Sequence, residues 1–112
     1  MGKTGTTYDA VRRLALALPG VQESTSYGTP ALKVKGGLMI RLHDDGDKIV
    51  VRMPFDRRTE MIAEDPETYF ITDHYRDYPW VLVSLDRVSP EALPDLLNIA
   101  HHAASRSKKR RV

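Results

Sequence analysis

The stretch Ala31–Met53, ALKVKGGLMIRLHDDGDKIVVRM, decides the fold. Apolar and polar residues alternate through it with a period of two, broken at Gly36-Gly37 and at Asp44-Asp45-Gly46-Asp47. Such a pattern reads as three short strands joined by tight turns. In the first strand Leu32 and Val34 share a face, opposite Lys33 and Lys35. In the second, Leu38, Ile40 and Leu42 oppose Met39, Arg41 and His43; in the third, Ile49, Val51 and Met53 oppose Lys48, Val50 and Arg52. A meander with one apolar face needs a cover on that side only, which makes a two-layer α+β arrangement the natural solution. The other face is left wet and basic.

Working outward, Thr6 or Thr7 can cap a first helix whose apolar positions Val11, Leu14, Ala15 and Leu18 fall on one stripe, ended by Pro19-Gly20. Val21 to Pro30 shows neither period and reads as a loop with room for a short edge strand. Pro54 to Glu64 reads as a second helix with Asp56 as its cap and two competing inner stripes, Thr59-Ile62-Ala63 or Phe55-Met61-Ile62. Asp65-Pro66 stops it. Tyr69 to Thr72 reads as a fourth strand, and a polar, aromatic connection over Asp73 to Pro79 leads to a fifth. There Val81, Val83 and Leu85 point inward while Trp80, Leu82 and Ser84 point to the wet side. Ser89-Pro90-Glu91 starts a last helix, whose beginning Pro94 shifts toward Leu93; Leu93, Leu96, Leu97, Ala100, Ala103 and Ala104 form its buried stripe. The expected fold is thus a two-layer α/β sandwich of the α+β class. Its antiparallel sheet has about five strands with helices on one face, in the order α-β-β-β-α-β-β-α. Residues 1–6 are a loose lead-in, 7–105 a single domain and 106–112 a basic tail.

A chain of 112 residues, 41% hydrophobic, supports one core. Its 17 basic residues outnumber 15 acidic ones only because Arg106, Lys108, Lys109, Arg110 and Arg111 crowd the last seven positions; without those five, 12 remain and the body is net acidic. The basic balance therefore describes a tail, not the body. No apolar run approaches a membrane span and no signal-peptide pattern opens the chain, so the expected location is the cytoplasm. The absence of cysteine excludes disulfides, thiolate nucleophiles, iron–sulfur clusters and cysteine zinc sites.

Over roughly Tyr8 to Ala104 the residues resemble the MmcQ/YjbR family of small bacterial proteins. The resemblance rests on an ordered set: Leu18-Pro19-Gly20 after the first helix, Tyr27-Gly28-Thr29-Pro30, a Lys35-Gly36 hairpin turn, His74-Tyr75, Trp80-Val81, and Leu85-Asp86 before the last helix. It implies a secretion-chaperone-like α/β sandwich with the element order already read. It also implies DNA binding, because members are described as similar to the double-wing domain of a phage transcription activator, in which paired β-hairpins flank a concave sheet face.

The residues themselves supply a physical candidate for such binding. Lys33, Lys35, Arg41, Lys48 and Arg52 project to one side in the register above, with no carboxylate among them. Cations at strand spacing can neutralise successive phosphates and release counterions. Trp80, with Tyr75 or Tyr78 nearby, can stack on an unpaired base. The tail cations Arg106, Lys108, Lys109, Arg110 and Arg111 would add non-specific phosphate contacts. Against this, solvated strands carry Lys and Arg simply to discourage edge pairing, and Asp44, Asp45 and Asp47 at the hairpin tip repel phosphate.

Other constellations carry less. The aspartate-rich turn lacks the distal glutamate of a calcium loop, and adjacent His101 and His102 cannot chelate one ion, so no metal or cofactor is expected. His74, Tyr75 and Asp77 could make an acid–base set, but no nucleophile completes it, and no catalytic residue is assigned. The expectation is a non-enzymatic DNA-binding protein. The alternative is a chaperone-like protein-interaction module using Trp80 and Leu82; an enzyme, third, would need a concave pocket holding His74 and a second polar group.

Overall fold

In the computed structural model, which describes residues 5–107, the meander forms the middle of a six-stranded antiparallel sheet ordered β1-β2-β3-β4-β6-β5. The strands are β1 (Val21–Ser26), β2 (Thr29–Val34), β3 (Gly37–Leu42), β4 (Lys48–Arg52), β5 (Tyr69–Phe70) and β6 (Trp80–Ser84). The helices are α1 (Tyr8–Leu16), α2 (Phe55–Glu64) and α3 (Leu93–Ser107), and short 3-10 turns cover Asp73–Tyr75 and Pro90–Ala92. The α+β class, the antiparallel sheet and the one-sided helices are as the pattern predicts; β1 is the additional strand. Its sequence, VQESTS, is polar because it is an edge strand with little to bury, so periodicity could not reveal it. What fixes it is its hydrogen-bond ladder with β2, from Val21↔Val34 to Ser26↔Thr29.

Both hairpins flanking β2 close through two residues with positive φ, Tyr27-Gly28 (+53°, +80°) and Lys35-Gly36 (+53°, +81°), the geometry whose twist matches the strands it joins. The second turn therefore lies one residue earlier than Gly36-Gly37, and Lys35 sits in the turn instead of on a strand face. A further departure lies within β3. Lys33 pairs with Leu38 but Leu32 with Ile40, so Met39 is an extra residue, a β-bulge. Met39 and Ile40 both reach the core, and Leu38 turns to the opposite face, where simple alternation puts Met39.

The helix-covered face is a dry core of Leu32, Val34, Ile40, Ile49, Val51, Val81 and Val83 against Val11 and Ala15 of α1 and Leu93, Leu96, Leu97, Ala100 and Ala104 of α3. Helix α1 is capped by the Thr7 hydroxyl, which accepts from the Ala10 amide at 3.1 Å, but Leu14 stays 43% exposed, outside the inner stripe. The α2 cap is Pro54, not Asp56, whose carboxylate accepts only from the adjacent Arg57 amide. Neither expected α2 stripe is the inner one. Met61 and Ile62 pack on the core with Arg58 buried beside them, while Phe55, Thr59 and Ala63 are exposed. Ser89 caps the 3-10 turn, so the α-helix begins at Leu93, which leaves Pro94 in the first turn where its missing N–H breaks no bond. His101 ties α3 to the turn between α1 and β1 through a 2.7 Å hydrogen bond with the Pro19 carbonyl.

Candidate functional site: an aromatic cleft on the opposite sheet face

The second sheet face is not uniformly wet. Tyr75 folds back over it and buries Val50 and Leu82, with Phe70, Ile71 and Trp80 packed around them. Beside this small cluster lies a cleft of about 580 Å³ lined by Tyr27, Leu38, Arg41, Asp44, Val50, His74, Tyr75, Tyr78 and Trp80. Three separate segments bring its aromatic rings together. Tyr27 comes from the β1–β2 turn, where it is 86% exposed; Trp80 comes from the start of β6; and His74, Tyr75 and Tyr78 come from the connection before β6.

That connection has little apolar sequence of its own and is held by Arg58. Its guanidinium, buried at the start of α2, donates to the carbonyls of Tyr75 (3.1 Å), Tyr78 (2.7 Å) and Trp80 (3.1 Å) through one nitrogen and to that of Arg76 (3.0 Å) through the other. Burial pushes its pKa down, and nearby Asp77 works in the opposite direction. A guanidinium presents several donors in a rigid fork and can gather backbone acceptors in this way. Arg58 carried no signal in the sequence, since its partners are 17 to 22 residues away. Nor does the sequence pattern mark Tyr27 as a site residue; its one clue is a ring placed directly before Gly28 in a tight turn.

Of the expected sheet cations, Lys33, Arg41, Lys48 and Arg52 lie on this face, as the ladder shows: Arg41 is opposite Val50, Val50 is opposite Leu82, and Arg52 is opposite Trp80. They do not form an open row of charges. Lys48 is bound by Asp45 and by Asp47 at 3.0 Å. Those bonds raise its pKa, while burial pushes Asp45 up less than the hydrogen bonds from Lys48 and Asp47 hold it below the usual carboxylate range. The aspartates that argued against phosphate contact thus neutralise Lys48. Arg52 donates from Nε to the Leu38 carbonyl at 2.7 Å and stacks on Trp80 with its guanidinium carbon 4.5 Å from the ring centroid; burial lowers its pKa. Arg41 is the cation at the cleft itself. Nη2 donates to the Tyr75 hydroxyl at 3.1 Å, and Nη1 donates to Thr29 Oγ1 at 3.3 Å and to the Leu42 carbonyl at 3.2 Å, with Asp44 at 3.5 Å. Its guanidinium also lies 5.2 Å from the Tyr27 ring centroid. Among the described residues, Lys33 and Lys35 have no carboxylate partner. Arg106 is exposed on α3, away from the sheet's second face, and Lys108, Lys109, Arg110 and Arg111 lie outside the described residues.

His74 lines the cleft, with its ring edge-on to Tyr75 at 4.8 Å. A concave pocket with His74 and further polar groups is therefore present, but among the described residues no carboxylate orients the imidazole. Nor do the described residues gather three metal-ligating side chains. None of the helices among them is long and apolar enough to cross a membrane.

The sheet order and the one-sided helices together define a two-layer α+β domain with an aromatic cleft on its uncovered sheet face. A family model described as YjbR matches residues 16–103, and the chain belongs to that family. The crystal structure of Deinococcus radiodurans protein DR2400, with a domain described as DUF419, is similar with a TM-score of 0.78 and 21% identity, over 99% of this chain and 87% of that one. At that identity the likeness speaks for the fold. No curated protein matches the chain.

Proposed function

We propose that this protein is a non-enzymatic DNA-binding module that takes an unpaired base of a single strand into the aromatic cleft, in preference to laying a duplex across a basic sheet. The observation that carries the reading is the convergence of Tyr27, Tyr75, Tyr78 and Trp80 on one cleft that also holds Arg41. Its volume of about 580 Å³ is of the size that receives small planar groups. Base–aromatic stacking is worth about 1–3 kcal/mol per base and tolerates any sequence, because every base has a π-face. A duplex keeps those faces in its own stack, so only a single strand or a frayed end can offer them. Among the described residues, Lys33 on the sheet face and Lys35 in the β2–β3 turn have no carboxylate partner and are free to meet the backbone, and the basic tail supplies further sequence-independent charge.

Because Trp80 is the single tryptophan, its fluorescence reports on the cleft directly. Titration with a short oligothymidylate should quench it saturably, while a duplex of equal length should quench it more weakly. Equal or absent quenching by both contradicts the reading. The exposed Tyr27 and Tyr78 favour a second reading, a protein docking on the same face; it predicts a partner that shields Trp80 while oligonucleotides leave it unchanged.

A further inference from the structure

The Arg41–Asp44 contact is unequal. The Arg41 side chain is 10% exposed and anchored by Thr29, Leu42 and Tyr75, whereas Asp44 is 74% exposed on the β3–β4 loop and stands 3.5 Å from Nη1. An exposed carboxylate at that distance is a weak counter-ion, so a largely buried charge faces the cleft without a strong ionic partner. Two features mark this as a place for an incoming anion. Among the described residues Nη2 spends one of its two protons, on Tyr75, and both Arg41 and Asp44 line the cleft beside the aromatic rings.

Resting on the base-binding reading above, we propose that Arg41 is the anion anchor of the cleft. The phosphodiester next to a docked base accepts the remaining Nη2 proton and displaces Asp44 from beside the guanidinium. Asp44 then acts as an internal competitor, a tethered carboxylate that holds the anchor until a phosphate arrives. A charge-assisted bond from a largely dehydrated guanidinium to phosphate is shorter and stronger than the contact it replaces. A neutral ring without the adjacent charge leaves Asp44 in position and binds less well.

Asp44→Asn removes the competitor's charge at an exposed position and keeps its size, so the fold should be unchanged. Wild type and D44N are titrated, by Trp80 fluorescence at low and moderate salt, with an oligothymidylate and with its uncharged methylphosphonate counterpart. The expected result is about 3- to 10-fold tighter binding of the phosphodiester strand by D44N, with no such gain for the methylphosphonate strand. An equal gain with both strands means that the aspartate merely narrows the entrance, and overturns the exchange. Wild-type quenching with no gain in D44N also overturns the exchange but leaves the base-binding reading standing. No quenching of either protein by either strand overturns both.

Discussion

The two faces of this sheet are made from the same strands and behave differently. On the helix-covered face every strand from β2 to β6 except short β5 contributes fully buried aliphatic side chains, and α1 and α3 close over them. On the other face the buried cluster among the described residues is Val50, Tyr75 and Leu82, bordered by Leu38, Ile71, arginine, lysine and aromatic rings around an open cleft. The first face is held by the hydrophobic effect, which is non-directional and follows directly from which residues are apolar. The second is held by hydrogen bonds and stacking from individual guanidinium groups, each needing a partner at a set distance and angle. Stability thus resides mainly on one side of the sheet, and the cleft we propose as a binding site lies on the other.

The largest effect that can sharpen this contrast is at Arg58, the polar counterpart of a core residue. Arg58→Met keeps the length but takes the guanidinium away from four carbonyls of the 75–80 segment, of which those of Tyr75 and Tyr78 keep a backbone donor. The expected cost is about 3 kcal/mol, read as a fall in the urea midpoint with an unchanged slope. Loss of Trp80 quenching should accompany it, because the same carbonyls position the cleft wall. A loss below about 1 kcal/mol would show that water replaces the guanidinium and that the wall holds itself.

A smaller effect lies at the hairpin tip. Asp45 is held below its ordinary pKa of 3.8 against the cost of its partial burial, chiefly by the hydrogen bond from Lys48. A depressed carboxylate contributes stability above its unfolded pKa and loses that contribution as pH falls through the folded value. Wild type should therefore exceed Asp45→Asn by about 0.5 kcal/mol at neutral pH, a modest figure because the pair is solvent-screened. The difference should shrink as the pH falls below 3.8 and vanish only once the pH passes the lower folded pKa. A difference that persists in acid would assign it to something other than the carboxylate's charge.

How far the sequence reveals these features follows the same division. The meander, the inward face of β6 and the α3 stripe are legible because burying one face imposes a period on the residues. The Thr7 and Ser89 caps are legible because they are local. Edge strand β1 is silent, since neither of its faces is fully buried. The Met39 bulge and the placement of Lys35 in a turn alter the alternation by one residue each, which a strict period cannot register. At the site, the side to which Lys33, Arg41, Lys48, Arg52 and Trp80 point could be read, but not what occupies them. The partners of Arg41 include Thr29 and Tyr75, 12 and 34 residues away, and those of Arg58 lie on a connection with no periodic pattern. Only the folded chain shows that a row of cations has become a set of braces around an aromatic cleft.

In the function proposed above, ring stacking in the cleft, more than charge on the sheet, carries nucleic-acid binding. Its most direct test is the affinity for one labelled oligothymidylate, at about physiological salt, of Trp80→Ala beside a Lys33→Gln, Lys35→Gln double variant. Trp80→Ala should lose about 10-fold or more, in line with about 1–3 kcal/mol for one stacked base, and the double lysine variant only a few-fold. A larger loss from the two lysines than from the tryptophan would contradict it.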